Sequence, residues 1–98
     1  LTRLTLFNNK LSGTIPETLG FLLNLSSLNL HNNYLSGAIP LSFTNLTELN
    51  QFTFYNTYLC EPTDADFLTW KGTVWMTWSG TNQTCPFMHH IYLPLLQR

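Results

Sequence analysis

The strongest constraint on this chain is an internal repeat with a period of 24 residues. Residues 1–16 read LTRLTLFNNKLSGTIP, residues 25–40 read LSSLNLHNNYLSGAIP, and a divergent third copy, LNQFTFYNTYLCEPTD, covers residues 49–64. Residues 1–24 and 25–48 are identical at 11 of 24 positions without a gap, almost always at apolar or turn positions. Self-similarity at this period predicts a stack of repeated units.

Each repeat contains a Leu-x-Leu unit that predicts a short strand. In a strand, alternate side chains point to the same face, so Leu4 and Leu6 share one face, as do Leu28 and Leu30. One strand cannot bury its leucines alone, and neighbouring repeats must therefore stack. We expect three repeats over residues 1–59, with parallel strands about 4.8 Å apart. In the third repeat, Phe52 occupies the position of Leu4 and Leu28 in the first two repeats.

The residues after each strand predict a sharp turn. Asn9 and Asn33 carry a donor and an acceptor at a corner where backbone groups lack strand partners. Thr57 occupies this position in the third repeat, so we expect the amide contacts to weaken there. Gly13 and Gly37 permit a backbone conformation that other residues rarely adopt. A proline follows three residues later and begins the segment that returns on the outer side.

The full pattern resembles the leucine-rich repeat family. The motif LxxLxLxxNxL is carried by Leu1, Leu4, Leu6, Asn9 and Leu11, and again by Leu25, Leu28, Leu30, Asn33 and Leu35. The extension LSGxIP resembles the plant-type subfamily, which bacterial surface proteins also use. The resemblance implies an α/β-type repeat solenoid with a parallel concave β-sheet and an irregular or 3₁₀ convex side. It also implies that Asn9 and Asn33 form an asparagine ladder.

Residues 60–87 depart from the repeat and predict a cap. Thr63 followed by Asp66 is typical of a helix start, with Thr63 as the N-cap. We expect the helix to end near Lys71, before Gly72. Phe67 and Trp70 lie three residues apart, on one helix face that can cover the end of the solenoid. After it, residues 73–75 read equally well as helix or extended chain. The three tryptophans favour cap packing over a carbohydrate platform.

The two cysteines admit two interpretations. With His89 and His90 they could be written as a zinc set, but neither cysteine has a near neighbour at zinc-ligand spacing. The segment LCEPTDADFLTW followed by a later cysteine resembles the C-terminal caps of bacterial plant-type repeat proteins. That resemblance implies a Cys60–Cys85 disulfide, no metal site and an oxidising compartment.

The ends of the chain carry weaker signals. Leu1 already lies inside a repeat and no secretory signal precedes it, so we expect further repeats upstream in a longer protein. Residues 88–98 form an apolar tail that resembles the ends of some secreted bacterial proteins, or an edge strand over residues 90–93. The apolar run at residues 91–96 is too short to span a bilayer.

Solvent-facing strand positions form columns across the repeats. The candidate ligand-binding residues of this concave face are Arg3, Thr5, Phe7, Asn8, Ser27, Asn29, His31, Asn32, Gln51, Thr53, Tyr55 and Asn56. Three ring side chains share one column, with Lys10, Tyr34 and Tyr58 beside it. Aromatic side chains are enriched at binding surfaces. Alternatively, the rings only stabilise the sheet, at roughly 0.2–1 kcal/mol per pair.

The low charge and the motifs of the sequence limit the classes of function that the chain is expected to have. With 9% charged residues and a net charge of −1, the chain has no basic cluster for nucleic acid. It has no catalytic constellation or cofactor motif. Asn24, Asn45 and Asn82 stand in candidate glycosylation sequons. The resemblance therefore implies a non-enzymatic, extracellular or cell-surface module that recognises a protein, peptide or glycan. A structural scaffold and an accessory module of a larger enzyme remain alternatives.

Overall fold

The computed structural model describes residues 1–86, which form a coil of strands and short helices. The strands are β1 (Arg3–Thr5), β2 (Ser12–Gly13), β3 (Ser27–Asn29), β4 (Tyr34–Ala38), β5 (Gln51–Thr53), β6 (Tyr58–Cys60) and β7 (Thr77–Ser79). Two 3₁₀ helices, Glu17–Phe21 and Leu41–Asn45, and one α-helix, α1 (Ala65–Lys71), complete the secondary structure. The predicted tail at residues 88–98 lies outside the described residues.

The main sheet confirms the predicted stacking of repeats. Its strand order is β1-β3-β5-β7, and every pair is parallel. Leu4 pairs with Leu28 and Leu28 with Phe52, an offset of one 24-residue period at each step. Leu28 and Phe52 are fully buried, and the half-buried Leu4 packs against the same core. The predicted interior row of apolar side chains is therefore confirmed.

The fourth strand of this sheet comes from the cap. The sequence allowed an extended segment at residues 73–75, but the strand lies at Thr77–Ser79 instead. Its register places Trp78 beside Phe52, where a fourth repeat would contribute a leucine. Trp78 contacts Phe52 and Phe54 edge-on, with ring centroids 5.3 and 5.7 Å apart. The apolar side of Trp78 therefore selects this register and extends the core by one row.

A second parallel sheet, β2-β4-β6, lies where the sequence predicted only irregular or 3₁₀ structure. Its partners are offset by 22 residues, as in Ser36 with Tyr58, against 24 in the main sheet. Gly13 and Gly37 occupy its strands with φ of +85° and +87°. This confirms the predicted need for glycine, because residues with a side chain are strained in that region. The convex 3₁₀ helices that follow are as predicted.

The asparagine ladder is centred on Asn33. Its side chain is buried and donates from Nδ2 to the carbonyls of Leu6 (2.9 Å) and Leu30 (3.0 Å). Its Oδ1 accepts the backbone N–H of Leu11 at 3.0 Å, which joins two repeats. Thr57 bonds only within its own repeat, donating to Phe54 O and accepting from the N–H of Leu59. Asn33 therefore makes the contacts between repeats that the ladder prediction requires, whereas Asn9 and Thr57 bond only within their own repeats.

Helix α1 closes the end of the solenoid. Phe67 and Trp70 are buried, as expected, and Trp70 Nε1 donates to the carbonyl of Leu46 at 3.0 Å. The N-cap is Asp64 rather than the predicted Thr63, and no side-chain bond caps the helix. Gly72 ends the helix with φ of −64°, so its conformation is open to other residues. The first helical turn is therefore held by packing instead of by a capping side chain.

The cap is crosslinked to the repeats beside a buried carboxylate. Cys60 and Cys85 form the expected disulfide, with Cα atoms 4.9 Å apart. The neighbouring Glu61 replaces the repeat glycine, and its side chain lies 2.7 Å from Lys71 Nζ. Trp78 Nε1 donates to the second Glu61 oxygen at 3.2 Å, and Lys71 lies over the Trp78 ring. The sequence reading missed this network, since a single Glu in place of Gly carries no pairing signal.

Candidate binding surface

The strand columns of the main sheet divide into exposed and covered positions. Arg3 and Thr5 are exposed, while Asn29 and Gln51 are half-buried. Ser27 and Thr53, which were expected to face solvent, are only 4% and 7% exposed. Ser27 lies between Arg3 and Gln51 in the sheet, and Thr53 lies between Asn29 and Ser79. Ser27 and Thr53 therefore support the surface from below rather than form it.

The ring column is ordered across three neighbouring repeats, with each ring two residues beyond the end of a strand of the main sheet. Phe7 stacks on His31 with ring centroids 4.7 Å apart and planes inclined by 6°. His31 stacks on Tyr55 at 4.4 Å and 14°. Phe7 and Tyr55 at the two ends are exposed, and His31 between them is half-buried. The three rings thus present a continuous row of edges that runs across the strands of the concave face.

A polar chain under the rings orients His31. The Nδ1 atom of His31 lies 2.7 Å from the Thr53 hydroxyl, which also accepts a bond from Asn29 Nδ2 at 2.9 Å. Since Asn29 is the donor in that bond, the Thr53 hydroxyl can donate its own proton to Nδ1. This arrangement is compatible with a neutral imidazole that carries its proton on Nε2. In that tautomer the ring offers an N–H donor among apolar edges.

The same stacking acts on the charge of His31. Partial burial between Phe7 and Tyr55 lowers the pKa of His31 below its usual value of 6.5, because desolvation disfavours the imidazolium. The neutral form of the ring is therefore favoured. Of the predicted binding residues, only Arg3 is Lys, Arg, Asp or Glu. The part of the concave face around the three rings is therefore mostly neutral and aromatic.

The fourth predicted column lies beyond the strands. Asn8, Asn32 and Asn56 have φ of 59°, 61° and 57°, in the left-handed region that asparagine tolerates. Asn56 Nδ2 donates to Asn32 Oδ1 at 2.8 Å, and Asn32 Nδ2 donates in turn to Asn8 Oδ1. These residues therefore form a second side-chain ladder, which the sequence reading placed among the ligand contacts of the concave face.

A groove lies beside this second ladder, on the flank of the coil. Its volume is about 340 Å³, and its lining consists of Asn9, Asn32, Asn33, Tyr34, Asn56, Thr57 and Tyr58. The sequence analysis noted the column of Lys10, Tyr34 and Tyr58 but left it out of the binding set. The signal was available, because these positions recur at the repeat period. We refer to this feature as the lateral groove.

Other candidate sites are placed as follows. The sequon residues Asn24, Asn45 and Asn82 are all exposed, and their glycosylation stays a prediction. Within residues 1–86, no cluster of three metal-ligating side chains occurs. In the same range no helix is long and apolar enough to cross a bilayer.

Trp70 and Trp78 pack in the cap as expected, but Trp75 is 72% exposed, so the packing prediction is wrong for that residue.

The fold and its ladders define a leucine-rich-repeat solenoid. A family model described as Leucine Rich Repeat matches residues 1–22 and 24–46. The repeats, with their LSGxIP extension and second sheet, are of the plant type, and the chain is a plant-type leucine-rich-repeat protein. No curated protein matches the chain in sequence.

Two solved structures resemble the chain. One is described as the plant peptide hormone receptor RGFR1 in complex with RGF2, with 27% identity and a TM-score of 0.72. The other is the crystal structure of PEPR1–AtPEP1, with 30% identity and a TM-score of 0.73. Each match covers 85% of this chain but only 13% and 11% of the respective relatives. The chain therefore corresponds to a small part of those structures.

Proposed function

We propose that this chain is part of a non-enzymatic extracellular binding module that recognises a peptide or an extended protein segment across its concave face. The proposal rests on one observation above the others, the ordered row of Phe7, His31 and Tyr55. A parallel sheet needs no such row, since Thr, Ser and Asn fill equivalent positions in the neighbouring columns. The similarity to a peptide hormone receptor supports a peptide ligand.

The chemistry of the row suits a peptide that crosses the strands. Its ring edges offer apolar contact, and His31 Nε2 offers one donor to a peptide carbonyl. Asn29 and Gln51, half-buried beside the row, supply further amide groups. Rigid aromatic side chains lose little conformational entropy on binding, which favours them as anchors. The disulfide supports an extracellular location, because such bonds persist in oxidising compartments.

The test is selection from a random peptide library displayed on phage, with the protein immobilised through its N-terminus. Enriched peptides are then measured against Phe7→Ala and Tyr55→Ala variants. We expect each variant to weaken binding by about tenfold, equivalent to about 1.4 kcal/mol. The matched control is Trp75→Ala, which removes an exposed ring from the cap. Peptides that bind all three variants equally well would remove the concave row from the proposal and favour a scaffold role.

A further inference from the structure

The lateral groove has a composition unlike that of the concave row. Its lining includes four asparagines, two tyrosines and one threonine, and it contains no charged side chain. Tyr34 and Tyr58 are 56% and 70% exposed, more than either outer ring of the concave row. Large exposed rings beside a polar floor are atypical of a surface that only faces water.

The amides on the floor of the groove are held in fixed directions. The left-handed backbone of Asn32 and Asn56 aims both side chains along the stack, and each is bonded to the next. Asn32 donates one N–H to Asn8 and accepts one bond from Asn56, so one N–H and one lone pair of its amide stay available. Asn33 bonds only to backbone groups and supports the floor from below. The groove thus offers ordered donors and acceptors at every repeat.

Tyr34 and Tyr58 stand on adjacent coils at the rim. Each follows the second ladder by two residues, and in the second sheet Tyr58 pairs with Ser36, two residues beyond Tyr34. Both side chains are more than half exposed, so their rings are accessible to a ligand. A flat apolar face and a directed amide are the two contacts that a sugar ring needs, since it combines a C–H face with a rim of hydroxyls.

We propose that the lateral groove binds a neutral, extended, β-linked oligosaccharide of hexose units. The absence of charge in the lining of the groove disfavours an acidic glycan. The two exposed rings stand on neighbouring coils, which favours an extended chain with one sugar on Tyr34 and another on Tyr58. This site is separate from the concave row and does not depend on the peptide function proposed for it.

The test is titration of the isotopically labelled protein with cellohexaose, with maltohexaose as the curved comparison chain. We expect saturable NMR shifts at Asn32, Tyr34, Asn56 and Tyr58 with cellohexaose, and weaker binding of maltohexaose. The double variant Tyr34→Ala/Tyr58→Ala should bind at least about tenfold more weakly. Both tyrosines are exposed, so a correctly folded variant is expected, and its amide spectrum checks this.

Two further variants separate this site from the other surfaces. The control variant Tyr55→Ala removes a concave ring and should bind cellohexaose as tightly as the unaltered protein. The variant Asn32→Gly keeps the left-handed backbone accessible but removes the central amide of the groove, so it should weaken binding as the tyrosine double variant does. The proposal is overturned if millimolar cellohexaose causes no shifts, if maltohexaose binds better, or if the shifts fall on Phe7, His31 and Tyr55.

Discussion

The Glu61 carboxylate and the Lys71 ammonium lie 2.7 Å apart and join the end of the repeat stack to the cap helix. Glu61 stands where the first two repeats have glycine, and its side chain is buried while Lys71 is partly exposed. The carboxylate also accepts the Trp78 N–H. The cap therefore contains a polar link within a cluster of aromatic rings.

Loss of the lysine alone should destabilise the protein. Lys71→Met leaves the buried Glu61 carboxylate with the Trp78 N–H but without its counter-charge, and we expect a loss of about 2 kcal/mol in the free energy of unfolding. Glu61→Gln with Lys71→Met should recover part of this loss, because no buried charge is then left alone. Urea unfolding of Lys71→Met, of Glu61→Gln and of the double variant measures the coupling between the two side chains. Strictly additive costs would show that the pair does not interact.

The disulfide should account for a large part of the stability of the cap. Cys60 and Cys85 are 25 residues apart, and closing a loop of that size is worth about 3–4 kcal/mol in the chain-entropy description. We expect the Cys60→Ala/Cys85→Ala variant to unfold at correspondingly lower urea. A reductant should destabilise the unaltered protein and leave the variant unchanged. Equal sensitivity of both proteins to reductant would contradict the assignment.

Alanine substitutions at two glycines of the cap should have opposite effects on the stability of the protein. A Cβ atom built on Gly80 would clash with the Phe54 ring, so Gly80→Ala should cost about 1–3 kcal/mol. At Gly72 the nearest atom is a backbone oxygen at 3.4 Å and the conformation is helical. Gly72→Ala should therefore be neutral or stabilise by about 0.4–1 kcal/mol. Thermal unfolding compares the two, and a reversed order would refute the close approach of Gly80 to Phe54.

The free energy of unfolding should depend on pH through the protonation of His31. Burial lowers its pKa in the folded protein, so between that value and 6.5 the unfolded chain binds more protons. The stabilisation is complete above pH 6.5 and is lost as the pH falls through the folded pKa. His31→Phe keeps a ring in the stack but cannot titrate. The difference in unfolding free energy between the two proteins, measured from pH 7.5 to 4.5, should decline on acidification, and a flat difference would contradict the burial effect.

The two ladder asparagines should differ in their contribution. Asn33→Ala leaves two carbonyls and the Leu11 N–H without their partner, and we expect a cost of about 2 kcal/mol or more. Asn9 is exposed and donates only to Leu6 and Phe7 in its own repeat. Asn9→Ala should cost less than about 1 kcal/mol, since water can replace its contacts. Equal costs, measured by urea unfolding, would argue against the inter-repeat role of Asn33.

The concave row and the lateral groove were only partly accessible from sequence. The 24-residue period alone aligned Phe7 with His31 and Tyr55, and Lys10 with Tyr34 and Tyr58. It could not show that Ser27 and Thr53 are covered, because burial of a short side chain depends on the size and direction of its neighbours across strands. The polar chain from Asn29 through Thr53 to His31 likewise exists only once two neighbouring strands are in register.

The repeat in the sequence determined the main features of the fold, since its leucines, turn asparagines and glycines each satisfy a local requirement that recurs in every coil. The cap obeyed no such period. Tertiary contacts decided the position of its strand at Thr77–Ser79 and the pairing of Glu61 with Lys71. They also decided the 22-residue offset of the second sheet, which lies in the repeats. The physical reason is that a local pattern specifies which side of a strand is apolar, whereas partners distant in sequence select register and burial.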